Sequence, residues 1–313
     1  MGKPKIAIFG STSHIAKGLT FNFLDAGTYR LHLFTRSPDK QAEFLETSGA
    51  DLSDVTIHEG YSDLPRTRCE AVINCVGVGT ASRLQGEYSR WFTVTEKFDN
   101  LAIDYVATSQ NRPIYISLSS GAVYGNTMSA AATEGSCRSL AVNRMVPSDY
   151  YSIARLNAEA KHRSLSGLNI VDLRIFAYFS RFIDLSDGYL LSDIIRSVRT
   201  GQTLAADPSD FVRDFIHPLD LFSLVCKCVE GRDLNDAFDA FSAGTVTKSE
   251  ILAYFETKYG LRVRASRDIG ARSATGQKAV YCSAYRKAES LGYAPRYTSM
   301  DAIRAEAEAL LGG

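Results

Sequence analysis

Gly10-Ser11-Thr12-Ser13-His14-Ile15-Ala16 joins a short apolar run, Lys5 to Phe9, to a stretch with helical spacing. A turn of small residues at such a junction aims backbone N–H groups and the positive end of a helix at an anion, so a dinucleotide pyrophosphate is the natural ligand. Gly10, Thr12, Ser13, His14 and Ile15 are the candidate contacts. Ser13 and Ala16 stand where the dinucleotide fingerprint has glycine; small residues still permit close approach, although serine makes a positive φ less accessible. An ordinary strand-to-helix turn is the alternative. After the second strand, where a carboxylate would hold the adenosine ribose of NAD, the chain reads Thr35-Arg36-Ser37, with no acid before Asp39. Arg36 suits a 2′-phosphate by charge and by planar donation, which favours NADP(H). A merely solvated arginine, or one stacked on adenine, leaves NAD open.

The elements that must position these residues follow from hydrophobic spacing. KIAIF, RLHLFT, VTIHEG, EAVINCVG, PIYISLSS and LNIVDLRIF read as six strands, and Ile15–Asp25, Lys40–Glu46, a long segment around Phe92–Tyr105, and Tyr151–Ser164 read as helices. Alternating strands and helices imply right-handed crossovers and a parallel sheet, whose strands are apolar on both faces. Beyond Phe176 the elements shorten and aromatic residues gather. The expected architecture is therefore an α/β, Rossmann-type doubly wound parallel sheet over residues 1–176, with 213–240 returning to it. A smaller, discontinuous substrate lobe is expected from 177–212 and 241–313.

The chain has 313 residues, 35 Lys+Arg against 35 Asp+Glu, and is 45% hydrophobic. Zero net charge and the lack of any run of like charges argue against a nucleic-acid partner. Six scattered cysteines, at 69, 75, 137, 226, 228 and 282, form neither a disulfide scaffold nor a zinc pattern. Reduced thiols, no leader-like segment and no span-length apolar run lead to the expectation of a cytoplasmic protein without a membrane partner or a metal.

Four separated blocks, in order, then carry a resemblance: GSTSHIA, YISLSSGAVYG, YSIARLNAE and VRDFIHPLDL, with the weaker AGTVTKSEIL and LGYAPRYTSMDAI. The chain resembles the extended short-chain dehydrogenases/reductases, NAD(P)-dependent epimerases, dehydratases and reductases of sugar nucleotides. The resemblance implies that Tyr151 transfers the hydroxyl proton and that Ser120 binds the reacting oxygen. It also implies that Arg213 grips the nucleotide diphosphate, with Arg272 as its partner and Tyr178 at the substrate. Asn74 and Gly77 would pass the adenosine and ribose.

The chemistry has its own requirement: hydride transfer at a hydroxyl carbon needs a proton acceptor within hydrogen-bond reach. A free phenol ionises near pH 10, and a cation one helical turn away favours its anion. Residue 155, on the same face as Tyr151, is Arg where the family has Lys; it keeps the charge but presents a larger, differently aimed fork. Tyr150 has only Ala154 at the corresponding spacing. Gly121 and Ala122 occupy the positions where 4,6-dehydratases carry an acid pair, which leaves 4-epimerisation or keto-sugar reduction. Ala177 stands where the family usually has a sugar-nucleotide-binding Asn, and His217 reads as structural. Two other readings stay open: a cofactor-binding regulator or scaffold with decayed catalysis, and a reductase of a non-sugar carbonyl. The resemblance further implies a homodimer through the helices near 92–105 and 151–164.

Overall fold

A computed structural model of the chain describes residues 2–78, 84–125, 128–231, 233–266 and 278–312. Seven parallel strands form the central sheet in the order β11-β6-β5-β4-β1-β2-β3. They are β1 (Lys5–Phe9), β2 (Arg30–Thr35), β3 (Val55–Glu59), β4 (Ala71–Asn74), β5 (Ile114–Ser120), β6 (Ile170–Ile175) and β11 (Asn235–Ala240). Along β1, Ile6 and Ile8 face one apolar layer while Ala7 and Phe9 face the other. Both faces of a parallel sheet are covered by crossover helices, which is why these strands are apolar throughout rather than alternating. The strand order reverses between β1 and β4, and that switch opens a crevice at their carboxyl ends.

The covering helices are α1 (His14–Ala26), α2 (Pro38–Ser48), α3 (Arg90–Thr108), α4 (Pro147–Ser164) and later α6 (Pro218–Glu230). Two of them begin earlier than hydrophobic spacing alone indicates. In α2 and α4 a proline, Pro38 or Pro147, occupies the first turn, where its missing N–H costs no hydrogen bond. The α4 start is fixed further by Asp149, whose carboxylate accepts the Val146 N–H at 3.1 Å. Tyr151 consequently sits in the second turn of α4, not at its end.

Past β6 the chain builds a second apolar cluster. Two-residue strands β7 (Ala177–Tyr178), β9 (Val212–Arg213), β10 (Phe215–Ile216), β12 (Val246–Thr247) and β14 (Val280–Tyr281) knit the joint between the layers, and β8 (Leu204–Ala206) pairs with β13 (Val263–Ala265). Helices α5 (Leu190–Thr200), α7 (Lys248–Tyr259) and α8 (Ser299–Leu311) pack around Ile194, Ile195, Phe255 and Ile303. Arg213 belongs to the small β12-β9-β14 sheet; the chain returns to the large sheet with α6 and β11. Cys228 on α6 is fully buried in the main core, and the cysteines are free thiols. No helix among the described residues is long and apolar enough to cross a membrane.

Candidate active site

The turn after β1 is built for close approach. Gly10 has φ +63°, and a Cβ there would lie 3.0 Å from Val76 Cγ2 and 3.2 Å from the Val76 backbone, so only glycine fits. Ser11 is buried, with both its N–H and its hydroxyl donating to the Phe34 carbonyl at 3.3 Å. The Ser13 N–H closes the turn on the Gly10 carbonyl at 2.9 Å. Ser13 itself has φ −74°, an ordinary value, so serine replaces the fingerprint glycine without strain. Its hydroxyl donates to the Cys75 carbonyl at 3.2 Å, tying the turn to the end of β4. No side chain caps α1, which leaves its first N–H groups facing the crevice.

Among the loop residues Thr12 is half-buried and Ile15 packs into the main core. The His14 ring points elsewhere: its Nε2 lies 2.9 Å from the Ser180 hydroxyl, and its ring edge meets Tyr178 with centroids 5.0 Å apart. Burial holds its pKa down at about 4, so the imidazole is neutral. What His14 offers an anion is its backbone N–H.

Arg36 follows β2 directly, is exposed, and makes no ion pair with any described residue. Asn74 is spent inside the protein: its amide donates to the Tyr115 hydroxyl at 3.0 Å and accepts the Val76 N–H at 3.0 Å. It therefore shapes the turn after β4 rather than reaching outward. Gly77 completes that turn, and a Cβ on it would lie 3.3 Å from Arg155 Nη2.

Arg155 reaches that point from α4, with its guanidinium carbon 5.5 Å from the Tyr151 ring centroid. The Tyr151 ring leans on Trp91, centroids 5.8 Å apart. Arg155 Nε is buried without a hydrogen-bond partner among the described residues. Burying a charged donor unpaired is costly, which suits a site completed by a polar ligand. α4 also packs on the short 3₁₀ turn Gly121–Tyr124 that follows β5, and so approaches Ser120. Ser120 is 9% exposed, accepts the Ala122 N–H at 3.2 Å and lies 2.9 Å from the Tyr281 hydroxyl.

Arg213 is 4% exposed and has no carboxylate partner among the described residues. Its neighbours are occupied: Asp214 accepts the Ser242 N–H at 3.0 Å, and Asp210 accepts the Ser249 hydroxyl at 2.7 Å. The guanidinium instead lies over the Phe211 ring at 4.1 Å, and burial lowers its pKa to about 10. Lys278 is 7% exposed with its ammonium 4.0 Å from the Tyr281 ring centroid. Burial first, and then the Arg213 and Arg138 charges, bring its pKa down to about 8.

The residues expected from the sequence thus divide. Gly10 and Ser13 lie against the segment after β4, Arg155 reaches Gly77 in that segment with Tyr151 beside it, and Ser120 adjoins the turn on which α4 packs. Tyr178 does not offer its hydroxyl to substrate: that group fills the space a side chain at Gly18 would need, against α1. Arg272 lies outside the described residues. Tyr281 and Lys278 carry no signal in a segment without hydrophobic period, and only the pairing of β14 with β9 brings them to Arg213.

The glycine cradle at Gly10, the uncapped α1 and the orphaned Arg155 Nε together fit a dinucleotide. The sequence model of the NAD dependent epimerase/dehydratase family matches residues 6–244. The chain belongs to that family. It is an enzyme of the extended short-chain dehydrogenase/reductase type. No curated protein matches it. Similar solved structures include a UDP-N-acetylglucosamine 4-epimerase from Methanobrevibacter ruminantium M1 in complex with UDP-N-acetylmuramic acid (15% identity, covering 100% of this chain and 99% of that one, TM-score 0.83). A UDP-glucose-4-epimerase from Stenotrophomonas maltophila with bound NAD is similar at 17% identity, 99% and 98% coverage and TM-score 0.81. A UDP-glucuronic acid 4-epimerase from Bacillus cereus, with UDP-glucuronic acid and NAD, is similar at 16% identity, 98% coverage of both chains and TM-score 0.77. At these identities the likeness is one of fold.

Proposed function

We propose that this family member acts on a nucleotide-diphosphate sugar, by 4-epimerisation or by reduction of a keto sugar. The carrying observation is the buried guanidinium of Arg213, which lacks a carboxylate and lies one ring, Tyr281, away from the Ser120 hydroxyl. A buried unpaired cation calls for an anionic ligand, and a fixed guanidinium suits a diphosphate. Lys278, over the same ring, adds a second cation to the one expected at Arg272. The sugar that follows the diphosphate would then meet Ser120 and Tyr151.

Bound NAD(P) supplies hydride acceptance and return at the sugar carbon. The N–H groups of Thr12, His14 and Ile15 would hold its pyrophosphate, and Arg155 and Gly77 would border its ribose. Arg36 takes a 2′-phosphate, which favours NADP. Ser120 orients the reacting oxygen, and Tyr151 removes its proton and returns it. Arg155 holds a guanidinium over the Tyr151 ring, with its carbon 5.5 Å from the ring centroid. Dehydration of the 4,6 type is disfavoured because neither Gly121 nor Ala122 can transfer a proton. The Phe176 ring also fills the space that any side chain at Gly121 would need.

A homodimer through α3 and α4 is supported by Leu156, an exposed leucine on the outer face of α4. Turnover of a panel of nucleotide-diphosphate sugars, with product epimers and cofactor oxidation state followed together, tests the assignment. Tyr151→Phe is expected to abolish turnover while retaining cofactor. Persistent turnover in that variant places the proton acceptor elsewhere.

A further inference from the structure

The hydroxyl of Tyr281 belongs to neither the cofactor turn nor the proton-transfer pair. Its ring is clamped on all sides: Phe176 lies 5.1 Å away centroid to centroid, Lys278 is 4.0 Å from the ring centre and Arg213 6.0 Å. The residue is 4% exposed. Its oxygen lies 2.9 Å from Ser120 Oγ.

We propose that Tyr281 is a positioning residue that turns Ser120 into an obligatory hydrogen-bond donor toward the substrate oxygen. The inference rests on the sugar-nucleotide reading above. A serine hydroxyl has one proton and two acceptor sites. One acceptor site takes the Ala122 N–H at 3.2 Å. Burial, reinforced by the Tyr151 charge, keeps the Tyr281 phenol protonated far above the usual tyrosine range. Either hydroxyl could donate across the 2.9 Å contact; the described residues offer the proton of the buried Tyr281 no other acceptor, so the phenol is assigned as the donor and fills the second acceptor site of Ser120. With both acceptor sites occupied, the Ser120 proton has the crevice as its remaining direction.

Two consequences follow. Ser120 is barred from acting as the proton acceptor, which reserves that part for Tyr151. In addition, the ring that holds Ser120 is the ring on which Arg213 and Lys278 rest, so occupation of the cationic cradle bears mechanically on the hydroxyl that orients the sugar.

The test is Tyr281→Phe, which removes the hydroxyl and keeps the clamped ring, measured alone and in a Ser120→Ala background. The expected result is a fall in kcat of about 10-fold or more with nucleotide-sugar KM within about 3-fold of the parent, and no further loss when Ser120→Ala is already present. Thermal unfolding of all four proteins accompanies the kinetics, because a purely structural role lowers stability without that non-additive kcat. An unchanged kcat for Tyr281→Phe, or losses that multiply in the double variant, overturns the assignment. A parent protein that turns over no nucleotide sugar sinks the sugar-nucleotide reading itself, and does so in a separate arm of the same experiment.

Discussion

Arg155 Nη2 lies 3.3 Å from the position a Cβ would take on Gly77, so a guanidinium from α4 is seated against the backbone that follows β4. The family's lysine would bring a point charge to this place; arginine brings a fork, one arm of which rests on a glycine, where a Cβ would crowd it. Its Nε is buried and has no hydrogen-bond partner among the described residues. A group arranged for function at the expense of desolvation gives opposite signs in two assays. Arg155→Met is expected to lower kcat by ~10²-fold, on the scale of lost proton-transfer assistance, while leaving the melting temperature of the cofactor-free protein unchanged or higher. Steady-state kinetics and a thermal melt on one preparation check both.

Arg36 stands at the end of β2, exposed and free of ion pairs with described residues. Its replacement should cost nothing in stability. Arg36→Ala is expected to weaken NADPH binding by about 10-fold, the scale of one charge-assisted contact, with NADH binding little altered. Fluorescence titration with both cofactors reads the ratio; an unchanged ratio removes the 2′-phosphate argument.

The parts legible in the sequence are those that one short stretch determines. KIAIF announces a strand covered on both faces, and Tyr151 and Arg155 share a helix face by spacing alone. The start of α4 was not legible, because Pro147 and Asp149 set it by capping rather than by hydrophobic period. Tyr281 and Lys278 were hidden for another reason: β9 and β14 are two residues long and make sense only once paired across the fold. Ser13 offers the reverse case. Its replacement of a fingerprint glycine suggested strain, and its φ of −74° contains none.

A buried charge cluster behind the cofactor turn predicts how stability responds to pH. His162 is fully buried between Asp99 and Asp172, 2.6 and 2.9 Å away. Burial opposes its charge, but hydrogen bonds to the two carboxylates outweigh it and raise the pKa to about 9. Asp99, also paired with Lys161, is held below its usual range despite burial. A histidine raised from 6.5 to about 9 contributes on the order of 3 kcal/mol below pH 6.5, lost as pH climbs through 9. Urea unfolding between pH 6 and 9 is expected to show that decline, and His162→Gln, less stable at pH 6, is expected to flatten it. Asp99 also accepts the Tyr115 hydroxyl at 2.8 Å, which in turn holds Asn74, so the same variant should weaken cofactor binding.

Arg213 poses the sharpest energetic contrast in the molecule. Its guanidinium is 4% exposed, its pKa is pulled down to about 10 by burial, and neither Asp210 nor Asp214 pairs with it. An arginine retained for stability would have acquired one of those adjacent carboxylates; here both are engaged by serines, and the guanidinium keeps one hydrogen bond, to the Val212 carbonyl at 2.9 Å, and aromatic faces. Replacing it with a side chain of similar volume removes a desolvated charge and keeps the packing against Phe211. Arg213→Met is therefore expected to leave the ligand-free melting temperature equal or raised, and to weaken binding of a nucleoside diphosphate by about 10- to 100-fold, the scale of a lost charge-assisted contact. Calorimetric titration with UDP, set beside a melt of the same variant, measures both. A lower melting temperature with unaltered UDP affinity would mean that the guanidinium serves the fold and that the diphosphate is held elsewhere.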